Sequence, residues 1–337
     1  MSRRRTLLAI LDGMSTARVV LYGDMVLDRF VLGTPKRISR EAPVIILRYE
    51  GQQDIPGGGA NALANLAALD VEVLPVAAVG DDEPGRALRA QLDSRGIDTS
   101  HLLTVPQLTT PMKVRILGGG ASSLKHQMAR YDVEGRLGDH GPWIDRLRES
   151  LGQAAAGAGA VAISDYGYGT VTAAAIAGLS ELRPRPPWLC LDSRYRLQDL
   201  DGVDAATPNL QELEAISGRR LTQDYEVADE AEALRRLLAA RFVLTTRGNR
   251  GMTLIEEGSS PVHIPVYGTD EVADVTGAGD TVLAVLTAAL AAGASPQDAA
   301  VLANLAGGIV VMKLGTATVS RDELRTAVLR STQEPAP

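Results

Sequence analysis

Four short apolar runs, each closing on glycine or a polar residue, limit what this chain can fold into. They are 18–22 (RVVLY, then Gly23 and Asp24), 160–164 (AVAIS, then Asp165), 188–191 (WLCL, then Asp192) and 242–245 (FVLT, then Thr246). Unbroken apolar runs of this length read as strands buried on both faces. Helical segments at 60–69, 142–155, 226–240, 278–292 and 296–312 fill most of the gaps, and 71–79 (VEVLPVAAV) is a further strand interrupted by Pro75. Strand–helix alternation of this kind predicts an α/β fold with a doubly wound, mostly parallel sheet. Ligands in such sheets sit beyond the carboxyl ends of the strands. Asp24, Asp165, Asp192 and Thr246 all fall at such ends.

Two stretches break the rhythm. Residues 29–56 hold a turn at Pro35, the charged RISRE and the strand-like VIILRYE, and 109–133 hold TTPMKVRIL and LKHQMARYD around a GGGASS turn. Both read as antiparallel strands inserted between α/β units, which predicts a small antiparallel β lid over a cleft. The first 17 residues read as a helical leader, 18–330 as one domain, and 331–337 as a disordered tail.

Composition narrows the function classes. Only Phe30 and Phe242 are phenylalanines, so Ala, Val and Leu fill the core. A net charge of −7 argues against a nucleic-acid partner. The apolar stretch of the N-terminus meets Asp12, too early for a membrane span or signal peptide. Cys190 is the only cysteine, so no internal disulfide can form and a reducing, cytoplasmic setting is expected. The four histidines are scattered without metal-ligand spacing, and no P-loop motif or nucleophile elbow is present.

Four motifs remain. DVTGAGD at 274–280 opens a helix with Gly277, Ala278 and Gly279, which leave its first N–H groups bare and able to hold an anion such as a phosphate. Asp280 would repel that anion unless it serves as a base for whatever attacks the phosphate; the alternative is a tight strand-to-helix turn. PGGGANALANLAAL at 56–69 places Gly58, Gly59 and Asn61 at a second helix start, with capping by Asn61 or close helix packing as the alternative. TPNLQELEAISG at 207–218 pairs Asn209 with Glu212 at capping-box spacing. TTRGNRG at 245–251 is a strand-to-turn segment that also fits a plain hairpin.

Taken together and in this order, the motifs resemble the ribokinase-like (phosphofructokinase-B) carbohydrate kinases over roughly 18–325, with Val275 where that family has Thr. A narrower likeness, to the D-glycero-D-manno-heptose 7-phosphate kinases, lies in GDMVLDRFVLGTPKRISREAPV at 23–44, SDYGYG at 164–169 and VVMKLGTATVS at 310–320. Arg40 replaces a proline of that group, and LDSRYR at 191–196 replaces its DPK tripeptide. Many members carry a second nucleotidyltransferase domain with an HxGH motif. None occurs in this chain, which therefore reads as a stand-alone kinase.

The resemblance implies ATP-dependent phosphorylation of the anomeric hydroxyl of a phosphorylated sugar, heptose 7-phosphate first. Another sugar, a nucleoside or a non-catalytic binding role are the alternatives. Asp280 would be the general base, with the Gly277, Ala278 and Gly279 amides as the anion hole. Asp24, Asp28, Gly58, Gly59, Asn61 and Asp165 would hold the sugar, and Arg37, Arg130 and Arg194 its phosphate. Asn209, Thr246, Arg247, Gly248 and Asn304 would line ATP, and Glu212 with Asn209 would order the water shell of Mg²⁺. A monovalent cation such as K⁺ near Asp270 and a homodimer through the lid complete the expectation.

Overall fold

The computed structural model describes residues 2–120, 125–138, 140–182, 184–268 and 273–331. Asp270, part of the GGGASS turn and the tail 332–337 lie outside these residues.

A nine-stranded sheet runs in the order Val262–Ile264, Met252–Glu256, Phe242–Thr246, Ala205–Ala206, Leu189–Ser193, Ala160–Asp165, Arg18–Gly23, Glu72–Val79 and Leu102–Thr104. All neighbours are parallel except the pairs made by Met252–Glu256 with Phe242–Thr246 and Val262–Ile264. Side chains alternate between two cores, as a period of two requires. Val19, Leu21, Ala160 and Ala162 enter one; Val20, Tyr22, Val161 and Ile163 enter the other. Pro75 sits inside Glu72–Val79 because the outer neighbour pairs only from Ala77 onward, so its missing N–H costs no ladder bond on that side.

The expected helices form at Gly59–Ala68, Pro142–Ala155, Asp224–Leu237, Ala278–Ala291 and Pro296–Val310. Helix Ala278–Ala291 is buried from Asp280 through Leu290, which explains an apolar sequence with no polar face. It packs between the sheet and helices Gly59–Ala68 and Pro296–Val310. Alanines at 284, 288, 299, 300, 303 and 306 permit that close approach in a core nearly without phenylalanine. The leading helix Arg3–Gly13 buries Leu7 and Leu11 in the same core. Among the described residues no helix is long and apolar enough to cross a membrane.

The lid is a separate four-stranded sheet in the order Ile45–Gly58, Met25–Ile38, Met112–Gly118, His126–Val133. Its two outer pairings are antiparallel, but the central pair, Met25–Ile38 with Met112–Gly118, is parallel. Each of the two inserted stretches thus pairs antiparallel as expected, and the seam that joins them is parallel for a simple reason. Both inner strands leave the same edge of the core sheet, one following strand Arg18–Gly23 and the other strand Leu102–Thr104, so they run the same way. Arg29 fastens the root of the lid, bonding both oxygens of Asp54 at 2.7 Å and Glu83 at 2.8 and 2.9 Å.

Gly23 lies where the core strand turns into the lid. A Cβ there would stand 2.4 Å from the carbonyl oxygen of Ser164 on the adjacent strand. Gly23→Ala is therefore expected to destabilise the protein by about 1–3 kcal/mol through overpacking. Gly152, in helix Pro142–Ala155 with open space at its Cβ position, is the control: Gly152→Ala should stabilise by roughly 0.5–1 kcal/mol. Chemical denaturation of both variants measures the contrast.

Candidate active site

The two glycine-led helix starts meet. Gly277 caps helix Ala278–Ala291 in the left-handed conformation (φ +79°), and a Cβ on it would lie 2.5 Å from Asn61 Nδ2. Asn61 does not cap its own helix, whose N-cap is Gly58 with no side-chain cap. Its Nδ2 instead donates to the Gly277 carbonyl at 3.2 Å and to Asp280 Oδ2 at 3.1 Å. Asn65 donates to Asn61 Oδ1 at 3.2 Å, and its own Oδ1 accepts from the Val319 amide, so the amide of Asn61 is fixed with its donor toward the carboxylate. Tyr166 Oη donates to Asp280 Oδ1 at 2.8 Å. Burial pushes the Asp280 carboxyl up to about 6, against the pull of the Asn61 and Tyr166 donors and the Lys113 charge. Gly279 has open space at its Cβ position, so the helix start lies bare beside the carboxylate. Val275 is 68% exposed, which is why Val for Thr costs no packing there.

The carboxylates expected around a sugar are largely engaged within the protein. Asp24 accepts the amides of Tyr166, Tyr168 and Thr170 at 2.9, 2.9 and 3.0 Å and so shapes the loop after strand Ala160–Asp165. Asp165 accepts from Ser193 Oγ at 2.6 Å and from Arg196 Nη2 at 2.5 Å. Asp28 pairs with Arg115 at 2.6 Å and accepts from Thr316 Oγ1 at 3.1 Å. Gly57 and Gly59 make room for these groups, since Cβ atoms would lie 2.5 Å from Asp28 Oδ2 and 2.9 Å from the Asp24 carbonyl; Gly58 has φ +56°.

Cations gather near the Asp280 carboxylate and the Tyr166 phenol. Lys113 Nζ lies 4.8 Å from the centre of the Tyr166 ring, and burial lowers its pKa while Arg194 and Arg130 repel it. Arg130 bonds both oxygens of Asp132 at 2.7 and 2.6 Å. Arg194 is exposed and holds down the carboxyls of Asp192 and Glu212, both raised chiefly by burial, with Glu212 also repelling Asp192. Arg37 stands away from this group on the exposed outer part of its strand, opposite Ile46.

Where the resemblance expects the nucleotide, Asn209 and Glu212 form the reciprocal box that the spacing predicts, with both bonds at 2.9 Å. Asn209 bridges to Thr246, so this helix start adjoins the turn after Phe242–Thr246. That turn does join an antiparallel hairpin. Arg247 directs its guanidinium inward to Thr253 and Asp224, and its charge is neutralised there. Gly248, at φ +59°, opens the turn. Asn304 donates to the Pro265 carbonyl at 2.8 Å. Among the described residues no three His, Cys, Asp or Glu side chains converge on a metal site. The paired carboxylates Asp192 and Glu212 offer only hard oxygen donors, which suits Mg²⁺ held through water and phosphate by one or two carboxylates.

Sequence reading passed over Tyr166, Lys113 and the partnership of Asp192 with Glu212. Lys113 and Arg115 carried a signal, because cations two apart on a strand share one face. The hydrogen bond from Tyr166 spans 114 residues and left none.

Comparison with known proteins identifies the family. The profile of the pfkB family carbohydrate kinases matches residues 16–125 and 184–323. The bifunctional protein HldE of Nitrosococcus oceani is 40% identical over 319 residues, which cover 94% of this chain and 65% of that protein. Arabidopsis thaliana ribokinase, solved with ribose and ATP, superposes with a TM-score of 0.70 at 21% identity over 95% of this chain and 99% of its own. Phosphofructokinase-2 from Escherichia coli, solved with potassium, gives 0.76 at 20% identity over 94% and 99%. The chain belongs to the pfkB family of carbohydrate kinases.

Proposed function

We propose that this protein transfers the γ-phosphoryl group of ATP to the anomeric hydroxyl of a sugar that already bears a phosphate, with D-glycero-D-manno-heptose 7-phosphate as the first candidate. One observation carries the reading: a buried carboxylate, Asp280, stands in the first turn of a bare helix start and is gripped by one donor on each oxygen. The sugar hydroxyl gives its proton to Asp280 as it attacks, and the Gly277–Gly279 amides take the charge on the transferring group. Mg²⁺ neutralises phosphate charge, and Glu212 and Asp192 are the residues that would hold it. Gly248 and Thr246 border the nucleotide with Asn304 nearby. The heptose assignment rests on the likeness at 23–44, and the requirement for a phosphorylated sugar on Lys113, Arg130 and Arg194 in an acidic protein. The proposal extends to a monovalent cation, to a cytoplasmic setting consistent with one buried thiol at Cys190, and to a homodimer. Exposed Ile38, Val44, Ile45, Tyr49 and Tyr131 on the lid favour self-association through that sheet.

Asp280→Asn is expected to fold and to lose about 10²–10⁴ in kcat. In the parent, kcat should fall as pH drops through about 6, because the base must be ionised and its carboxyl titrates there. A variant with parental kcat sinks the mechanism.

Glu212→Gln can still complete the box with Asn209 but lacks the charge. It should need more Mg²⁺ for half-maximal rate with unchanged thermal stability; an unaltered Mg²⁺ titration would leave Glu212 a helix cap only.

Arg194→Ala should raise KM for the phosphorylated sugar by roughly tenfold or more, the scale of one lost hydrogen bond to a charged group, and leave an unphosphorylated analogue nearly unaffected. A panel of sugars with ATP, read by phosphorus NMR of the product, tests the substrate. Preference for an unphosphorylated sugar overturns the heptose-phosphate reading and keeps the kinase.

A further inference from the structure

Tyr166 joins two parts that phosphoryl transfer has to keep in register, the base and the lid. Its amide donates to Asp24 Oδ2 at 2.9 Å, which locks its main chain to the core. Its phenol donates to Asp280 Oδ1 at 2.8 Å while Asn61 takes Oδ2 at 3.1 Å. One face of its ring meets Lys113 Nζ at 4.8 Å, within cation–π reach, and Lys113 is carried by the lid strand Met112–Gly118.

We propose that Tyr166 is the positioning residue of the base: it sets the orientation of the Asp280 carboxylate and, through Lys113 on its ring, makes that orientation depend on the lid. The proposal rests on Asp280 being the base. A phenol suits the task. Burial and the neighbouring Asp280 charge push it well above its ordinary range, so it keeps its proton and stays a donor. Two donors, one per oxygen, fix the carboxylate plane and leave lone pairs for the substrate hydroxyl. Both bonds favour the ionised form. The charged groups that face Asp280 are Lys113 and Asp28 from the lid and Asp192 from the end of strand Leu189–Ser193; Arg194, next along the chain, faces the phenol. Lys113 works with the two donors, and Asp28 and Asp192 work against them.

Tyr166→Phe keeps the ring and the Lys113 contact and removes only the donor. Its plateau kcat, measured well above the acidic limb, should fall roughly tenfold or more, the effect of losing one charge-assisted hydrogen bond, with the sugar KM within about twofold. The acidic limb of the kcat profile should move to higher pH, because the lost bond stabilised the charged carboxylate. Ring-fluorinated tyrosine at position 166, a stronger donor of the same shape, should move the limb to lower pH, and it serves should the Phe variant fold poorly. Lys113→Met should lower the plateau in the parent and lower it less in the Tyr166→Phe background. Parental plateau and limb in Tyr166→Phe, with only a lower Tm, overturn the positioning role. Fully additive losses in the double variant overturn the link to the lid. Asp280→Asn separates the two levels: if it is inactive while Tyr166→Phe matches the parent, only this inference fails, whereas an active Asp280→Asn removes the base itself.

Discussion

One side-chain amide holds the centre together. Asn61 reaches from one helix start to the other and bonds both the Gly277 carbonyl and the Asp280 carboxylate. The bare start of helix Ala278–Ala291 and its acidic residue keep their geometry only while that amide points the right way, and Asn65 ensures that it does. Gly277 has to be glycine on two counts, its left-handed backbone and the nearness of Asn61. The glycines of both motifs are therefore packing requirements of this contact.

The fold was legible where hydrophobic pattern alone decides it. Runs such as RVVLY and AVAIS alternate between two cores, as strands buried on both faces must. Helix Glu83–Asp93 was passed over although Asp82 caps it through the Gly85 amide and Pro84 stands in its first turn; its buried face is narrow, Gly85, Leu88 and Leu92. Strands Leu102–Thr104 and Val262–Ile264 are too short to show a period. In the site, the Asn209–Glu212 pair could be found because the start of its helix demands such residues, and Asp280 and Asn61 because each stands in a glycine-led motif. Tyr166 could not, since its contact with Asp280 exists only after the strand Ala160–Asp165 and helix Ala278–Ala291 have packed. Charge was the least readable feature. Arg247 and Arg194 look alike in sequence, yet one is buried against Asp224 and Thr253 and the other lies open beside two carboxylates.

Charge placement also explains how a protein of net charge −7 can offer a site for anions. Asp24 is occupied by three amides, Asp28 by Arg115, and Asp165 by Arg196. Asp24 and Asp165 stand at core-strand ends and Asp28 inside the lid strand Met25–Ile38, and each is held by donors within the protein. Among the described residues Lys113 and Arg194 close no ion pair, although Asp28 and Asp280 act on the first and Asp192 and Glu212 on the second. Burial keeps the Asp280 carboxyl raised to about 6, where it can exchange a proton near neutrality.

The join between core and lid has a mechanical meaning. Only Asp24 separates strand Arg18–Gly23 from strand Met25–Ile38, and Arg29 bolts the first residues of the lid to Asp54 and Glu83. The root of the lid is thus part of the frame, and the free portion begins past Arg29, where the register slips at Leu32/Gly33 and again at Pro35/Arg37. The lid resembles a cantilever clamped at one end. Sequence can drift at the tip, in length or in surface, without disturbing the residues that touch the reacting atoms, and one catalytic frame can be refitted to new partners or new substrates by changing that overhang alone.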